Sequence, residues 1–317
     1  MQGSAKPGGP DRWGIILAGG EGTRLRSLTR TITGDDRPKQ FCPILDRETL
    51  LDRTRRRVAL TVPPDRTLVV VTQTHERFYA AQLGDAPPPC VIVQPENKGT
   101  APAILYALLC LASQRPMDAV AVLPSDHYVS DDAVFMAHVE AAFEAVHARP
   151  DLVVLLGITP DSPEVEYGWI EPGEPIPDPC GRGLARVRRL WEKPALGVAQ
   201  ALMDGRCLWN SVVMVARVPA FLALIRSARA DLYDAFVGVQ PRLGLPAEAE
   251  IIRPLYARLA PMNFSREVLA TRPANLAVLP VAGIAWSDWG QPDHVLATLA
   301  RMGTRPGWAE SGAAVPA

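Results

Sequence analysis

The sequence predicts an α/β protein with a mostly parallel central sheet, helices on both of its faces and a mixed α/β second half. Three observations carry this. Short apolar runs alternate with segments of helical period through the first half, a glycine-rich turn follows the first run directly, and the composition is that of an ordinary globular chain. Of 317 residues, 48% are apolar and 21% charged, with basic and acidic side chains nearly cancelling.

The apolar runs fall at 13–18, 67–72, 90–94, 119–123 and 152–158. Between them, 50–60, 74–83, 101–112 and 132–148 carry apolar residues three and four apart, the period of a helix packed on one face. Short strands separated by helices imply βαβ units, hence parallel strands whose ligands bind beyond their carboxyl ends. In the second half, 171–183 reads as a loop rich in Pro and Gly, 184–191 and 208–218 as strands, 219–229 and 247–259 as helices, and 275–286 as strand again. No linker separates autonomous domains, so 12–302 read as one domain. Residues 1–11 read as a flexible tail and 303–317, rich in Gly and Ala, as a disordered one.

A net charge of -1 offers no general attraction to nucleic acid or to an anionic membrane. No apolar run approaches the ~18 residues of a membrane span, and the first residues lack the apolar core of a signal peptide. The five cysteines, Cys42, Cys90, Cys110, Cys180 and Cys207, are odd in number and never spaced as CxxC, so they read as reduced thiols. A cytoplasmic location is expected.

Only four of the 33 basic residues are lysine, namely Lys6, Lys39, Lys98 and Lys193. Lys is a compact point charge and Arg a wide fork, so a lysine kept against such a bias either marks a place where the fork does not fit or survives by chance. Lys6 lies in the tail and reads as chance survival. The first strand runs into Gly19-Gly20-Glu21-Gly22-Thr23-Arg24-Leu25. Three glycines let backbone N–H groups approach an anion, and Arg24 adds a positive charge. Leu25 stands where a dinucleotide fingerprint needs its third glycine, and no Gly-Lys-Ser/Thr of a Walker loop follows. Alone, the turn is either a phosphate loop or a tight turn.

The stretch ILAGGEGTRLRSLTR followed by RPKQF resembles the signature of sugar-1-phosphate nucleotidyltransferases, and its Pro38-Lys39-Gln40-Phe41 form looks most like mannose-1-phosphate guanylyltransferases. NKGTAPAI, LPSDHYV, EYGWIEPG, WEKP, WNSVVMV and WSDWG recur in the family's order. The resemblance implies a Rossmann-like nucleotidyltransferase fold, with a nucleotide-binding half at 12–160 and a sugar-phosphate-binding half at 161–302. It implies transfer of a nucleotidyl group from a nucleoside triphosphate, GTP in the closest likeness, to a hexose 1-phosphate such as mannose 1-phosphate. The partners implied are these small molecules, with neither nucleic acid nor membrane, and association into a homo-oligomer stays open.

By the same resemblance Asp126 and Asp288 hold Mg²⁺, an ion that prefers oxygen and few protein ligands; otherwise Asp126 is a helix cap or turn residue. Arg24, Lys39 and Lys193 are the catalytic cations. Gly19, Gly20, Gly22 and Thr23 cradle phosphates, and Gln94, Gly99 and Thr100 meet the nucleotide. Gln94 both donates and accepts, so it does not itself choose a base. Gly168, Glu192, Lys193 and Asn210 hold the sugar phosphate. Trp169, Trp191 and Trp209 are either core packing or sugar stacking, and Lys98 either touches the nucleotide or covers its loop. His127 reads as packing or as a support beside the metal ligands rather than as a ligand, since Mg²⁺ favours oxygen, and His75, His138, His147 and His294 read as isolated.

Three departures stand out. Between Arg24 and Lys39 the chain has some four residues more than the family's usual spacing, including Asp35 and Asp36. Residues 262–270, MNFSREVLA, replace the Ile-Asp-Tyr pattern of guanylyltransferases, which bears on mannose specificity. The chain carries no cupin or β-helix extension, so a second activity is not expected. Alternatives are the same chemistry with dTTP, UTP or CTP and glucose 1-phosphate, or a non-catalytic protein that binds nucleotide sugars.

Overall fold

The computed structural model describes residues 11–87, 90–177 and 181–310. The first half contains β1 (Arg12–Leu17), α1 (Arg26–Thr33), α2 (Leu50–Val58), β2 (Thr67–Thr72), α3 (Glu76–Tyr79), β3 (Val91–Gln94), α4 (Thr100–Ala112), β4 (Ala119–Pro124), β5 (Tyr128–Val129), α5 (Asp132–Ala148) and β6 (Val153–Ile158). Then follow β7 (Gly168–Pro175), β8 (Ala185–Glu192), α6 (Leu196–Asp204), β9 (Leu208–Arg217), α7 (Val218–Ala228), α8 (Ala230–Val237) and α9 (Glu248–Arg258). The chain continues with α10 (Phe264–Glu267), β10 (Leu276–Val281), β11 (Trp286–Ser287), α11 (Pro292–Met302) and α12 (Gly307–Glu310).

Nine strands form one sheet in the order β3-β2-β1-β4-β9-β6-β10-β8-β7, and β5 pairs with β11 apart from it. The run β3-β2-β1-β4 is parallel, as is β6 with β10, whereas β9, from the second half, inserts antiparallel between β4 and β6. The α/β class expected from the sequence is therefore what the molecule has, with one sheet drawing strands from both halves. One face is buried by α4, α7, α8 and α9, the other by α2, α3, α5 and α6. A third apolar cluster, Leu25, Leu28, Cys42, Ile44, Leu50, Tyr128, Trp289, Val295 and Leu299, lies outside the sheet and anchors the loops at its carboxyl edge.

Local chemistry sets several boundaries. Thr49 caps α2 by accepting from the Asp52 amide, and Asp131 caps α5 by accepting from the Val134 amide. The extra residues before Lys39 end α1: Gly34 closes it at φ 79°, Arg37 grips the Asp35 carboxylate through two nitrogens at 2.8 Å, and Arg30 takes Asp36.

Four expectations are corrected. The segment 171–183 is not all loop, because β7 runs to Pro175 along β8, with register shifts at Pro172 and Pro175 that absorb the missing N–H donors. The helix expected at 74–83 shrinks to α3, and the strand expected at 275–286 splits into β10 and β11 in different sheets. The tail does not begin at 303: α12 follows α11, and the Trp308 indole donates to Ile44 O at 2.9 Å while packing on the third cluster. Residues 1–10, Cys180 and 311–317 lie outside the described residues, and Asp11 is tied down by the Ala119 amide at 2.8 Å. Among the described residues no helix is long and apolar enough to cross a membrane.

Candidate functional site

Parallel register brings the ends of β1, β2, β3 and β4 to one edge, where Leu17 pairs with both Val70 and Pro124 and Thr72 pairs with Gln94. A cavity of about 600 Å³ opens there. It is lined by Gly19, Gly20, Gly22, Thr23, Arg24, Lys39, Gln94, Gly99, Thr100, Asp126 and Asp288, residues drawn from positions 19 to 288 of the chain.

The glycine turn is held from below. The buried amide of Gln40 donates through Nε2 to Ala18 O at 3.0 Å and Gly20 O at 2.8 Å, fixing the backbone on both sides of Gly19. Gly22 sits at φ 59°, and a Cβ there would meet the Lys39 amide at 3.0 Å, so the turn and the Lys39 segment fit only without a side chain. Gly99 is more constrained: at φ 84° its missing Cβ would lie 2.4 Å from Met262 O. Its amide donates to Asn97 Oδ1 at 2.9 Å, so the Gly99 N–H is engaged within its own loop. Thr100 Oγ1 accepts from the Phe264 amide, and Met262 bonds to Lys98 O and the Ala101 amide. The 262–270 segment thus packs against the Gln94 and Gly99 end of the cavity, and its Met262, Asn263 and Arg266 line the wall there.

Lys39 is 8% exposed and fully engaged. Its ammonium donates to Asp288 O at 2.5 Å and Trp289 O at 3.1 Å and pairs with Asp126 Oδ2 at 3.2 Å, so one buried cation ties the two carboxylate loops together. Burial opposes ionisation of Asp288, yet His294, the charge of Lys39 and the Gly290 amide together hold its pKa at about 2. Burial pushes His127 down to about 4, leaving a neutral ring edge-on to Trp286 at 5.2 Å. His294 is not isolated: it stands 3.5 Å from both Asp288 Oδ1 and Glu164 Oε2, and Asp288 raises its pKa against burial. Among the described residues no group of three or more His, Cys, Asp and Glu is arranged to hold a metal ion.

The sugar-phosphate candidates do not line this cavity. Gly168, Glu192 and Asn210 meet where β7, β8 and β9 adjoin: a Cβ on Gly168 would lie 3.4 Å from both Asn210 Cβ and Glu192 Oε2. Asn210 Oδ1 is turned to the Val212 amide at 2.9 Å. Trp169 and Trp209 are buried in the core, and Trp191 stacks under the Arg189 guanidinium at 3.7 Å, so none lies free for a sugar. Lys193, outside the cavity wall, joins it through a residue the sequence reasoning missed. Glu166 Oε2 lies 2.9 Å from Lys193 Nζ and 3.3 Å from Arg24 Nη1. Lys193, by hydrogen bond and then by charge, holds the Glu166 carboxyl below its usual range, with Gln291 and Arg24 adding. Its position within EYGWIEPG, two residues before Gly168, was the available signal. Backbone strain marks the same region, since Lys193, Val212 and Trp289 all adopt positive φ, at 44°, 59° and 46°.

The family model for nucleotidyl transferases matches residues 13–302. Xanthan biosynthesis protein XanB of Xanthomonas campestris pv. campestris (strain B100) is 37% identical over 226 residues, which is 70% of this chain and 45% of XanB. Mannose-1-phosphate guanylyltransferase ManC of Salmonella typhimurium (strain LT2) is 30% identical over 285 residues, 87% of this chain and 57% of ManC. The chain spans about half the length of these curated relatives. The crystal structure of mannose-1-phosphate geranyltransferase from Thermus thermophilus superposes with a TM-score of 0.75 at 28% identity, covering 88% of this chain and 76% of that one.

Proposed function

This chain belongs to the nucleotidyl transferase family, and from that premise we propose that it transfers a guanylyl group from GTP to mannose 1-phosphate, releasing pyrophosphate. The observation that carries the chemistry is the convergence of the Gly19–Gly22 turn, Arg24, Lys39 and the two carboxylates on one cavity at the strand ends. The choice of guanine and mannose rests on the kinship with ManC. The sugar phosphate is already an anion, so the chain needs no general base; its task is to position two mutually repelling polyanions and offset charge in the transition state. In this reading the glycine amides and Arg24 receive the triphosphate, and an incoming phosphate oxygen takes over one of the three N–H groups that Lys39 now gives to protein oxygens. Glu192, Asn210 and Gly168 receive the sugar, and Lys193 its phosphate, once Glu166 releases it.

Two carboxylates with room for phosphate oxygens and water suit Mg²⁺, and Asp126 and Asp288 are the residues that would hold it. Such an ion neutralises phosphate charge when bound. The halves 12–160 and 161–302 would then serve nucleotide and sugar phosphate within one unit of cytoplasmic metabolism.

The test is pyrophosphate release with Mg²⁺, crossing GTP, ATP, UTP, dTTP and CTP against mannose, glucose and other hexose 1-phosphates. Turnover confined to GTP with mannose 1-phosphate is expected. Turnover with another pair replaces the substrates and keeps the chemistry; no turnover from folded protein that binds a nucleotide sugar points to a regulatory protein.

A further inference from the structure

At the nucleotide end of the cavity lies a hydrogen bond that phosphate chemistry does not use. Gln94 closes β3 and is 2% exposed; Tyr256, on α9, is fully buried, and its phenol donates to Gln94 Oε1 at 3.1 Å. That oxygen is the phenol's only acceptor among the described residues. Burial, with Cys110 adding, raises the Tyr256 pKa well above its usual value, so the phenol remains a donor. The ring cannot swing away, being packed edge-on to Phe236 at 5.9 Å and tilted against Tyr106 at 6.3 Å. Turning the Gln94 amide over would set N–H against O–H and strand a buried hydroxyl proton, an arrangement folded proteins avoid. Nε2 therefore faces the other way, to the cavity wall at Gly19, where a Cβ would lie 2.8 Å from it. An amide nitrogen carries donors only.

We propose that Tyr256 is a positioning residue that locks Gln94 with its donor end toward the cavity, so that the site selects nucleobases carrying an oxo group at the edge Gln94 reads over bases carrying an amino group there. Guanine, hypoxanthine, uracil and thymine present such a carbonyl, whereas adenine and cytosine present an amino group, which would set donor against donor. Gln94 alone does not discriminate; Gln94 held by Tyr256 does. The inference rests on the reading that this cavity takes a nucleoside triphosphate.

Two base pairs isolate the group: inosine against adenosine triphosphate, and uridine against cytidine triphosphate. The wild-type chain, Tyr256→Phe and Gln94→Glu are compared by kcat/KM from pyrophosphate release and by dissociation constants from titration calorimetry. In the pair that the wild-type chain uses, the oxo member is expected to be favoured by roughly thirtyfold or more. Tyr256→Phe shrinks that ratio by roughly tenfold through KM and binding, with kcat on the oxo member nearly unchanged. A merely structural role would weaken both members alike. Gln94→Glu keeps the bond to Tyr256 but turns an acceptor to the cavity, so the preference reverses, and this variant decides the matter if Tyr256→Phe does not fold. Equal use of both members by the wild-type chain, an unchanged ratio in folded Tyr256→Phe, or an unreversed preference in Gln94→Glu overturns the proposal. Turnover without oxo preference sinks this inference and spares the proposed function; oxo-selective binding without any turnover does the opposite; no nucleotide binding sinks both.

Discussion

Gly99→Ala measures how tightly the nucleotide end of the cavity is built. Gly99 adopts φ 84° and ψ -177°, a region essentially reserved for glycine, and forcing alanine into it costs about 1–3 kcal/mol. The new Cβ would stand 2.4 Å from Met262 O, and contacts under 3.0 Å are essentially never seen, so the Met262 carbonyl must retreat by roughly 0.6 Å. That carbonyl accepts from the Ala101 amide at 3.1 Å, and the Met262 amide donates to Lys98 O at 2.8 Å. Stretching both adds about 0.5–1.5 kcal/mol each. The expected loss is about 2–6 kcal/mol, and its lower end alone lowers Tm by roughly 3 °C in a domain of this size. Because Met262, Asn263 and Arg266 move with this carbonyl, KM for the nucleoside triphosphate rises severalfold while the sugar-phosphate KM changes little. Differential scanning calorimetry and initial rates read both effects. A Tm within about a degree of wild type and an unchanged nucleotide KM would refute the reasoning.

Lys39→Ala and Asp126→Ala are expected to lower kcat by roughly thirtyfold to a thousandfold while far-ultraviolet circular dichroism stays native; full turnover in either variant removes that residue from the chemistry. Glu166→Gln frees Lys193 and Arg24 from a half-exposed carboxylate, whose pairs contribute only about 0–1 kcal/mol, so the sugar-phosphate KM should fall severalfold with Tm little changed. A raised KM would mean that Glu166 binds substrate instead. Asp35 has its pKa lowered, first by its Arg37 hydrogen bond, so its contribution is fully present above the ordinary carboxylate value of 3.8 and is lost as pH falls through the lower folded value. Asp35→Asn should therefore melt below wild type at pH 7 and converge with it under acid, and a gap that widens in acid would contradict the pairing.

The strands were legible where they are buried on both faces. β2 and β6 have every residue buried, and their apolar cores 68–71 and 153–156 stand out in the sequence. α1 was not expected because RSLTRTIT is short, polar on average and buries only Leu28 and Thr29, with Leu28 packed into the third cluster, which the sequence does not outline. β7 was hidden by Pro172, Gly173 and Pro175, tolerated where register shifts interrupt its pairing with β8. In the site, the motif residues that follow the ends of β1, β3 and β4 line one cavity, since parallel strands deliver their loops to one edge. What stayed invisible is long-range: Lys39 bonding to carbonyls 249 and 250 residues away, Tyr256 reaching Gln94 across 162, and Glu166 joining Arg24 to Lys193. No local pattern encodes such partners, because tertiary folding alone brings them together.

The most direct test of the central claim follows GTP, mannose 1-phosphate, Mg²⁺ and the protein by ³¹P nuclear magnetic resonance. Equal appearance of pyrophosphate and a nucleotide sugar diphosphate ester, with matching loss of mannose 1-phosphate, is the predicted result. Phosphate released from GTP while mannose 1-phosphate remains untouched would contradict it.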